Sequence, residues 1–370
     1  RLIEQNDFSS GTSSRSSRLL HGGIRYLAQA KIGLVYEASR EKTVLHRIAP
    51  HLSEPMPFIF PTRRNSPWTY WKLSLGVKIY DWLCGKANLG RSQSLSKQAT
   101  MELLPGLETE HLTGAVKYFD GFTNDARLVI DTLRSAAANR AIVENYTRFV
   151  DASRVDDVWH CKVENNDPSL PRQQRTLKAR CVVNATGPWS HQLPKSSTAL
   201  RLTKGVHLIV DRSRLPVPAA VVVAEGQRIL FAIPWGERVI LGTTDTDYNG
   251  PIATPQCTAE DRDYVLSAVN QAFPGAKLQG LDVLSVWAGL RPLVADKHGN
   301  PSDISRRHEI TNSHPGWWDV TGGKLTTYRI MAEETVDRIV SSLGDDYQPC
   351  QTDSTPLLAP NQDAEPSCIL

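Results

Sequence analysis

The chain holds 370 residues, 40% of them hydrophobic and 22% charged, with 42 Lys and Arg against 39 Asp and Glu for a formal net charge of +3. That length exceeds one ordinary core and fits two interleaved domains able to enclose a large cofactor, and the near balance of charge gives no reason to expect nucleic-acid binding, so anion recognition falls to particular arginines and lysines. Six scattered cysteines form no C-x-x-C pair and no zinc spacing, which points to a reduced, cytosolic setting without a metal site, and no apolar run approaches the roughly 18 residues of a membrane span.

Residues 1–4 read as the end of a β-strand, apolar and then acidic at Glu4, and with Arg at residue 1 the start reads as cut. Residues 9–18, short hydroxylated side chains around Gly11, have the composition of a linker. Helical periodicity over residues 24–51 follows so closely that an ordered loop is expected instead. Prolines break up residues 52–67. Residues 68–83 are an apolar helical stretch with Trp68, Trp71, Tyr80 and Trp82 beside Lys72 and Lys78, read as a core helix in preference to an interfacial one. An amphipathic helix is predicted at 125–139 and strands at 141–145, 147–150 and 158–163, with 181–185 as a buried parallel strand. Residues 205–250 alternate apolar segments with Pro and Gly turns, the pattern of an antiparallel sheet. A helix at about 259–272 and a strand at 283–287 follow, and 317–329 run from strand through two glycines into helix. Residues 356–370 are Pro-rich and polar, and are expected to end without a packed element.

Three segments have the form of a cofactor cradle. In Gly11-Thr12-Ser13-Ser14-Arg15-Ser16, hydroxyls and backbone N–H groups suit phosphate and ribityl oxygens. In Asn184-Ala185-Thr186-Gly187-Pro188-Trp189, a small-residue turn lets a ligand approach the carboxyl end of a parallel strand. Gly322-Gly323-Lys324-Leu325-Thr326-Thr327 places N–H groups at a helix N-terminus. This last segment is not a P-loop, because Leu325 stands where Ser or Thr would follow Gly-Lys.

Together these segments resemble the FAD-dependent, quinone-linked glycerol-3-phosphate dehydrogenases of the D-amino-acid-oxidase-like flavoprotein superfamily. The shared motifs run in the family's order from Glu4 to about Ala332. They include Leu20-His21-Gly22-Gly23-Ile24-Arg25-Tyr26-Leu27, Arg47-Ile48-Ala49-Pro50-His51-Leu52, Lys204-Gly205 with His207, Leu241-Gly242-Thr243-Thr244-Asp245, Ala288-Gly289-Leu290-Arg291-Pro292-Leu293 and Gly322 through Arg329. The resemblance implies an α/β fold. A discontinuous Rossmann-like FAD domain (1–48, 119–200, 286–345) would carry an inserted antiparallel-sheet substrate domain (49–118, 201–285), and 346–370 would be an irregular tail leading to a missing C-terminal domain. The family's G-x-G-x-x-G, about 20 residues before the glutamate, does not occur in this sequence, so truncation at both ends is expected.

By the same resemblance Glu4 binds the adenosine ribose. Thr12, Ser13, Ser14, Ser16, His21, Gly22, Gly23, Ala185, Thr186, Gly187, Gly323, Lys324, Leu325, Thr326 and Thr327 hold FAD. A phosphate dianion beside a flavin needs several charge-assisted donors, and Arg25, Arg291, Lys324 and Arg306 are carried over to that role. His207 is the leading candidate for the base that takes the C2 hydroxyl proton, with Tyr26 as its hydrogen-bonding partner and Arg291 as a stabiliser of the developing alkoxide. The reaction implied is oxidation of glycerol 3-phosphate to dihydroxyacetone phosphate, with electrons passed through FAD to a membrane quinone. The chain would sit peripherally on the inner (cytoplasmic) membrane, or on the mitochondrial inner membrane, and a homodimer is allowed. The alternatives are an oxidase that uses oxygen and an inactive truncated flavoprotein fragment.

Overall fold

The computed structural model describes residues 1–23, 32–64, 66–84, 88–226, 228–294, 308–344 and 348–361. The chain opens with β1 (Leu2–Ile3), a loop containing a 3-10 turn at Thr12–Ser14, and β2 (Leu19–Leu20). Helix α1 (Ile32–Ile48) follows. Its predicted span ran on to residue 51, but Pro50 has no N–H to continue the ladder and begins a separate turn, Pro50–Leu52. Residues 24–31 of that span lie outside the described residues. Next come β3 (Glu54–Arg63), α2 (Tyr70–Cys84), β4 (Gln93–Ser96), α3 (Lys97–Leu103) and β5 (Leu112–Phe122). Helix α4 (Asp125–Ala138) is started by the Asn124 side chain, which accepts from the Arg127 N–H.

Strands β6 (Val143–Glu144), β7 (Thr147–Val155), β8 (Val158–Asn165), β9 (Gln174–Ala179) and β10 (Val182–Asn184) lead to the long β11 (Leu200–Asp211). After β12 (Ala220–Glu225), β13 (Arg228–Trp235), β14 (Arg238–Gly242) and β15 (Thr246–Asp247), a Thr258–Asp261 capping box opens α5 (Ala259–Ala272). The chain continues through β16 (Val283–Val294), β17 (Glu309–His314), β18 (Trp317–Thr321), a 3-10 turn at Leu325–Thr327 and α6 (Tyr328–Leu343).

The largest sheet has ten strands in the order β15-β11-β14-β13-β12-β3-β5-β2, with β16 added on β11 and β4 on β5. All its pairings are antiparallel except β12 with β3. Alternation along the strands gives it two cores. Val206, Leu208, Val221, Val223, Val239 and Leu241 face α5 through Val265, Leu266 and Val269. Ile209, Val222, Ile240, Phe58 and Phe60 face the other way, toward Leu73 and Val77 of α2. Strand β16 was expected to end near 287 but pairs with β11 as far as Val294, so residues 286–294, like Leu19–Leu20 and the end of β5, are bonded into this sheet.

Beside it lie a parallel pair β1–β6, an antiparallel sheet β7-β8-β9, and the sheet β10-β18-β17. Strand β10 is parallel to β18 as predicted, but it is an edge strand, and Val183 is 44% exposed where a buried run was expected. Helix α2 turns Leu73, Val77 and Tyr80 inward and leaves Trp71, Leu75, Ile79 and Trp82 exposed, so it is both a core helix and a bearer of an outer apolar stripe. After α6 the described residues 348–361 form no helix or strand but are tied to the body of the fold. Leu357 joins the cluster of Leu20, Leu45 and Leu128, its N–H donates to the Ile48 carbonyl at 2.8 Å, and the Leu358 N–H donates to Ser135 Oγ at 2.9 Å. Residues 362–370 lie outside the described residues.

Candidate active site

The register of β11 against β16 sets Thr203 opposite Arg291, Gly205 opposite Gly289 and His207 opposite Trp287, all on the sheet face that looks toward α2. A Cβ at Gly205 would stand 2.7 Å from Arg291 Cζ, and one at Gly289 would stand 2.9 Å from the Arg15 carbonyl oxygen. The bare glycine pair thus lets the Arg291 guanidinium lie across β11 and lets the serine-rich loop settle on β16. Arg291 donates to the Thr244 carbonyl (3.1 Å), Asp245 (3.2 Å) and Thr243 Oγ1 (3.1 Å), which fixes it in place. Lys204, one residue away, points to the opposite face and pairs with Asp261 at 2.5 Å.

The loop is ordered by its own side chains. Thr12 Oγ1 donates to the Leu290 carbonyl at 2.8 Å, and the Ser16 N–H and hydroxyl donate to the buried Asp125 carboxylate at 3.2 and 2.7 Å. Ser14 Oγ turns back to the Gly11 carbonyl. Among the described residues the hydroxyls expected to reach a ligand are therefore engaged within the protein, apart from that of the exposed Ser13, and so are the N–H groups of Ser14, Arg15 and Ser16, which donate to the Gly11 carbonyl, the Thr12 carbonyl and Asp125. Arg18 lies over Trp235 at 4.1 Å and Trp287 at 5.6 Å, and 3.8 Å from Asp125.

His207 is 2% exposed, stacked on Trp287 with ring centroids 5.3 Å apart. Its Nε2 is 2.8 Å from Ser17 Oγ, while Nδ1 is buried with no hydrogen-bond partner among the described residues. Burial, reinforced by the charges of Arg291 and Arg18, pushes its pKa down to about 3, so the imidazole is neutral at ordinary pH. An anion placed against those two arginines would cancel their field and raise the basicity of the ring.

The His21–Gly23 turn meets the 322–327 cradle turn directly. The His21 N–H donates to Thr326 Oγ1 at 3.0 Å, and Thr326 Oγ1 lies 3.3 Å from the His21 carbonyl it can donate to in return. Leu20 and Leu325 pack in one apolar cluster below them. Gly322 and Gly323 both adopt left-handed φ, 74° and 81°, which turns the chain sharply into the N-terminal end of α6. The third turn is set by Asn184, whose Oδ1 accepts from the Thr186 N–H (3.3 Å) and hydroxyl (2.8 Å) and whose Nδ2 donates to Asp319 (2.6 Å) and the Ser190 carbonyl (3.0 Å). Ala185 and Thr186 are left exposed, and the Trp189 ring lies against Gly11. Glu4, at the end of β1, is half-buried, and loss of water raises its pKa.

Of the predicted residues, Thr12, Ser14 and Ser16 lie with His207 and Arg291, and His21, Gly22 and Gly23 lie with Gly323, Lys324, Leu325, Thr326 and Thr327; the Ala185–Gly187 turn adjoins the serine loop through Trp189 and Gly11, and Glu4 stands apart from both groups. Arg25, Tyr26 and Arg306 lie outside the described residues. Sequence reasoning missed Ser17, Arg18 and Trp287 as neighbours of His207. The first two stood in the hydroxylated tract it had singled out, and only the sheet register shows Trp287.

A model of the family described as FAD dependent oxidoreductase matches residues 1–338. The chain belongs to that family. The aerobic glycerol-3-phosphate dehydrogenase of Staphylococcus epidermidis is 38% identical over 353 residues, 94% of this chain and 63% of the relative. Among solved structures, the glycerol-3-phosphate dehydrogenase of Bacillus halodurans complexed with FAD is 33% identical with a TM-score of 0.75, covering 95% of this chain and 61% of the other. The FAD-bound L-alpha-glycerophosphate oxidase of Mycoplasma pneumoniae shares the fold at 16% identity, with a TM-score of 0.69 over 97% of this chain and 92% of the other. The chain spans just under two thirds of the length of the dehydrogenases it matches.

FAD is the family's cofactor, and the donor set fits it. Left-handed glycines ahead of a helix N-terminus suit its anionic portion, and the exposed Ser13 and Thr186 suit its polyol portion. Glu4 suits a sugar diol, because a carboxylate accepts two hydroxyl donors.

Proposed function

We propose that this oxidoreductase oxidises sn-glycerol 3-phosphate to dihydroxyacetone phosphate and passes the electrons through FAD to a membrane quinone. One observation carries the reading: Arg291 lies across Gly205 on the same sheet face as the buried, neutral His207, so a cation and a proton acceptor converge beside the serine loop. The relatives above, named as glycerol-3-phosphate dehydrogenases, support the same substrate.

Arg291 binds the phosphate or the developing alkoxide, joined by Lys324 and, by family resemblance, by Arg25 and Arg306. Tyr26 is assigned a hydrogen bond to the substrate on the same ground. Nε2 of His207 is engaged by Ser17, and Nδ1 is enclosed. The hydroxyl proton therefore reaches the ring through the Ser17 hydroxyl, which takes it up as its own proton moves to Nε2. Bound FAD supplies the hydride acceptor. The 11–16 loop, the His21–Gly23 turn, the 185–187 turn and the 323–327 turn hold it, with Glu4 on the ribose.

The exposed row Trp71, Leu75, Ile79 and Trp82, flanked by the exposed Lys72 and Lys78, supports peripheral contact with the inner (cytoplasmic) membrane, where a quinone is available. Among the described residues no helix is long and apolar enough to cross a membrane.

The test is to load the protein with FAD and follow glycerol 3-phosphate oxidation with a quinone analogue and with oxygen. Quinone reduction well above oxygen consumption is expected. Oxygen alone supporting equal turnover makes the chain an oxidase, and failure to take up flavin makes it an inactive fragment.

A further inference from the structure

Helix α1 carries an acid and a base side by side in the protein interior, Glu41 at 1% exposure and Lys42 at 0%. Each runs to one of the two joined turns. Glu41 accepts two bonds from Arg329, at 2.8 and 2.7 Å, where α6 leaves the 325–327 turn. Lys42 spends all three of its donors, on Asp120 Oδ1 (2.8 Å), Tyr80 Oη (3.0 Å) and the Phe119 carbonyl (3.2 Å). Tyr80 Oη in turn donates to Asp120 at 2.5 Å and accepts the backbone N–H of Gly22 at 3.0 Å. The fit is close: a Cβ at Gly22 would stand 2.6 Å from both the Tyr80 ring and Ser39 Oγ.

Burying such a set brings little net stability, since an apolar set of the same volume commonly does as well. What the charges provide here is direction. An apolar side chain at 80 would leave the Gly22 N–H with no acceptor and the turn free to rotate its peptide plane.

We propose that Lys42, Tyr80 and Asp120 are positioning residues for the flavin, fixing the plane of the His21–Gly22 peptide, while Glu41 and Arg329 hold the facing 325–327 turn from the same helix. This rests on the reading that the two turns hold FAD. None of the five needs to touch the cofactor, because the bond between His21 and Thr326 makes the turns one unit.

The experiment uses the full chain loaded with FAD. Tyr80→Phe removes a single oxygen, and Lys42→Met keeps the volume of the stem. Thr62→Val, which strips a hydroxyl bonded to Thr113 and Gly114 elsewhere in the same sheet, serves as a control of comparable packing cost. Tyr80→Phe and Lys42→Met are expected to weaken FAD binding about tenfold, the cost of one buried unpaired donor. They should also shift the flavin midpoint potential and lower kcat, with KM for glycerol 3-phosphate unchanged. Thr62→Val should lower the melting temperature alone. If Tyr80→Phe keeps the wild-type FAD affinity and potential while losing only thermal stability, or if Thr62→Val moves the potential equally, the positioning role is overturned. A wild-type chain that takes up no FAD overturns both this role and the assignment of the turns.

Discussion

The Ser17 hydroxyl stands 2.8 Å from Nε2 of His207, the bond by which the serine loop reaches the proposed proton acceptor on the sheet. Ser17→Ala should lower kcat about 100-fold, the scale of a lost proton-transfer partner, with little change in KM. Ser17→Thr should restore most of it. Steady-state kinetics of the FAD-loaded variants decide, and an alanine variant with wild-type kcat removes Ser17 from the proton path.

Arg291→Ala is expected to lower kcat/KM for glycerol 3-phosphate by orders of magnitude, through KM if it binds the phosphate and through kcat if it stabilises the alkoxide. Gly205→Ala should reproduce much of that loss without touching a charge, because its methyl would sit 2.7 Å from Arg291 Cζ and push the guanidinium aside. FAD content of both variants should stay at the wild-type level.

His207 also couples folding to pH. Its folded pKa, about 3, lies below the unfolded value near 6.5. The unfolded chain therefore takes up a proton first as pH falls. The stability linked to this ring is complete above about pH 6.5 and is lost as pH drops toward 3, with a limiting slope of about 1.4 kcal/mol per pH unit. Urea midpoints measured from pH 4 to 7 should fall less steeply in His207→Gln; parallel curves would mean that the ring does not carry the linkage.

Asn184→Ala would cut four bonds that shape the 184–190 turn and leave Asp319 short of a donor. A loss of about 2 kcal/mol in unfolding free energy is expected, together with weaker FAD binding. Calorimetry with and without FAD separates the two.

Replacing Trp71 and Trp82 together by Ser should leave thermal stability unchanged, since the side chains are 64% and 79% exposed. Binding to vesicles containing anionic lipid should drop at least tenfold, as two indoles lose their burial. Equal vesicle binding would place the membrane contact elsewhere.

Much of this arrangement could be read in the sequence because its local signals agree with its fold. Asn124 and Thr258 cap α4 and α5 where the periodicity begins, and the glycine pair before Lys324 sits where strand gives way to helix. Other features depend on long-range pairing. Ser17 and His207 are 190 residues apart in sequence, and nothing in either segment reveals the bond between them. The role of Gly205 was hidden for the same reason, because a glycine in a strand does not say which side chain will lie across it. Pro50 shows the opposite limit: the apolar pattern ran past it, and backbone chemistry ended the helix.

Helix α2 faces two ways. Its inner side holds the Gly22 peptide through Tyr80, and Trp82, two residues further on, stands in solvent. A body that grips the outer stripe thus holds the same rigid rod that sets one turn of the proposed flavin cradle. The proposed anchoring surface and the proposed flavin site therefore share a single helix of 15 residues, unbroken between them, so that a tilt of one is a tilt of the other.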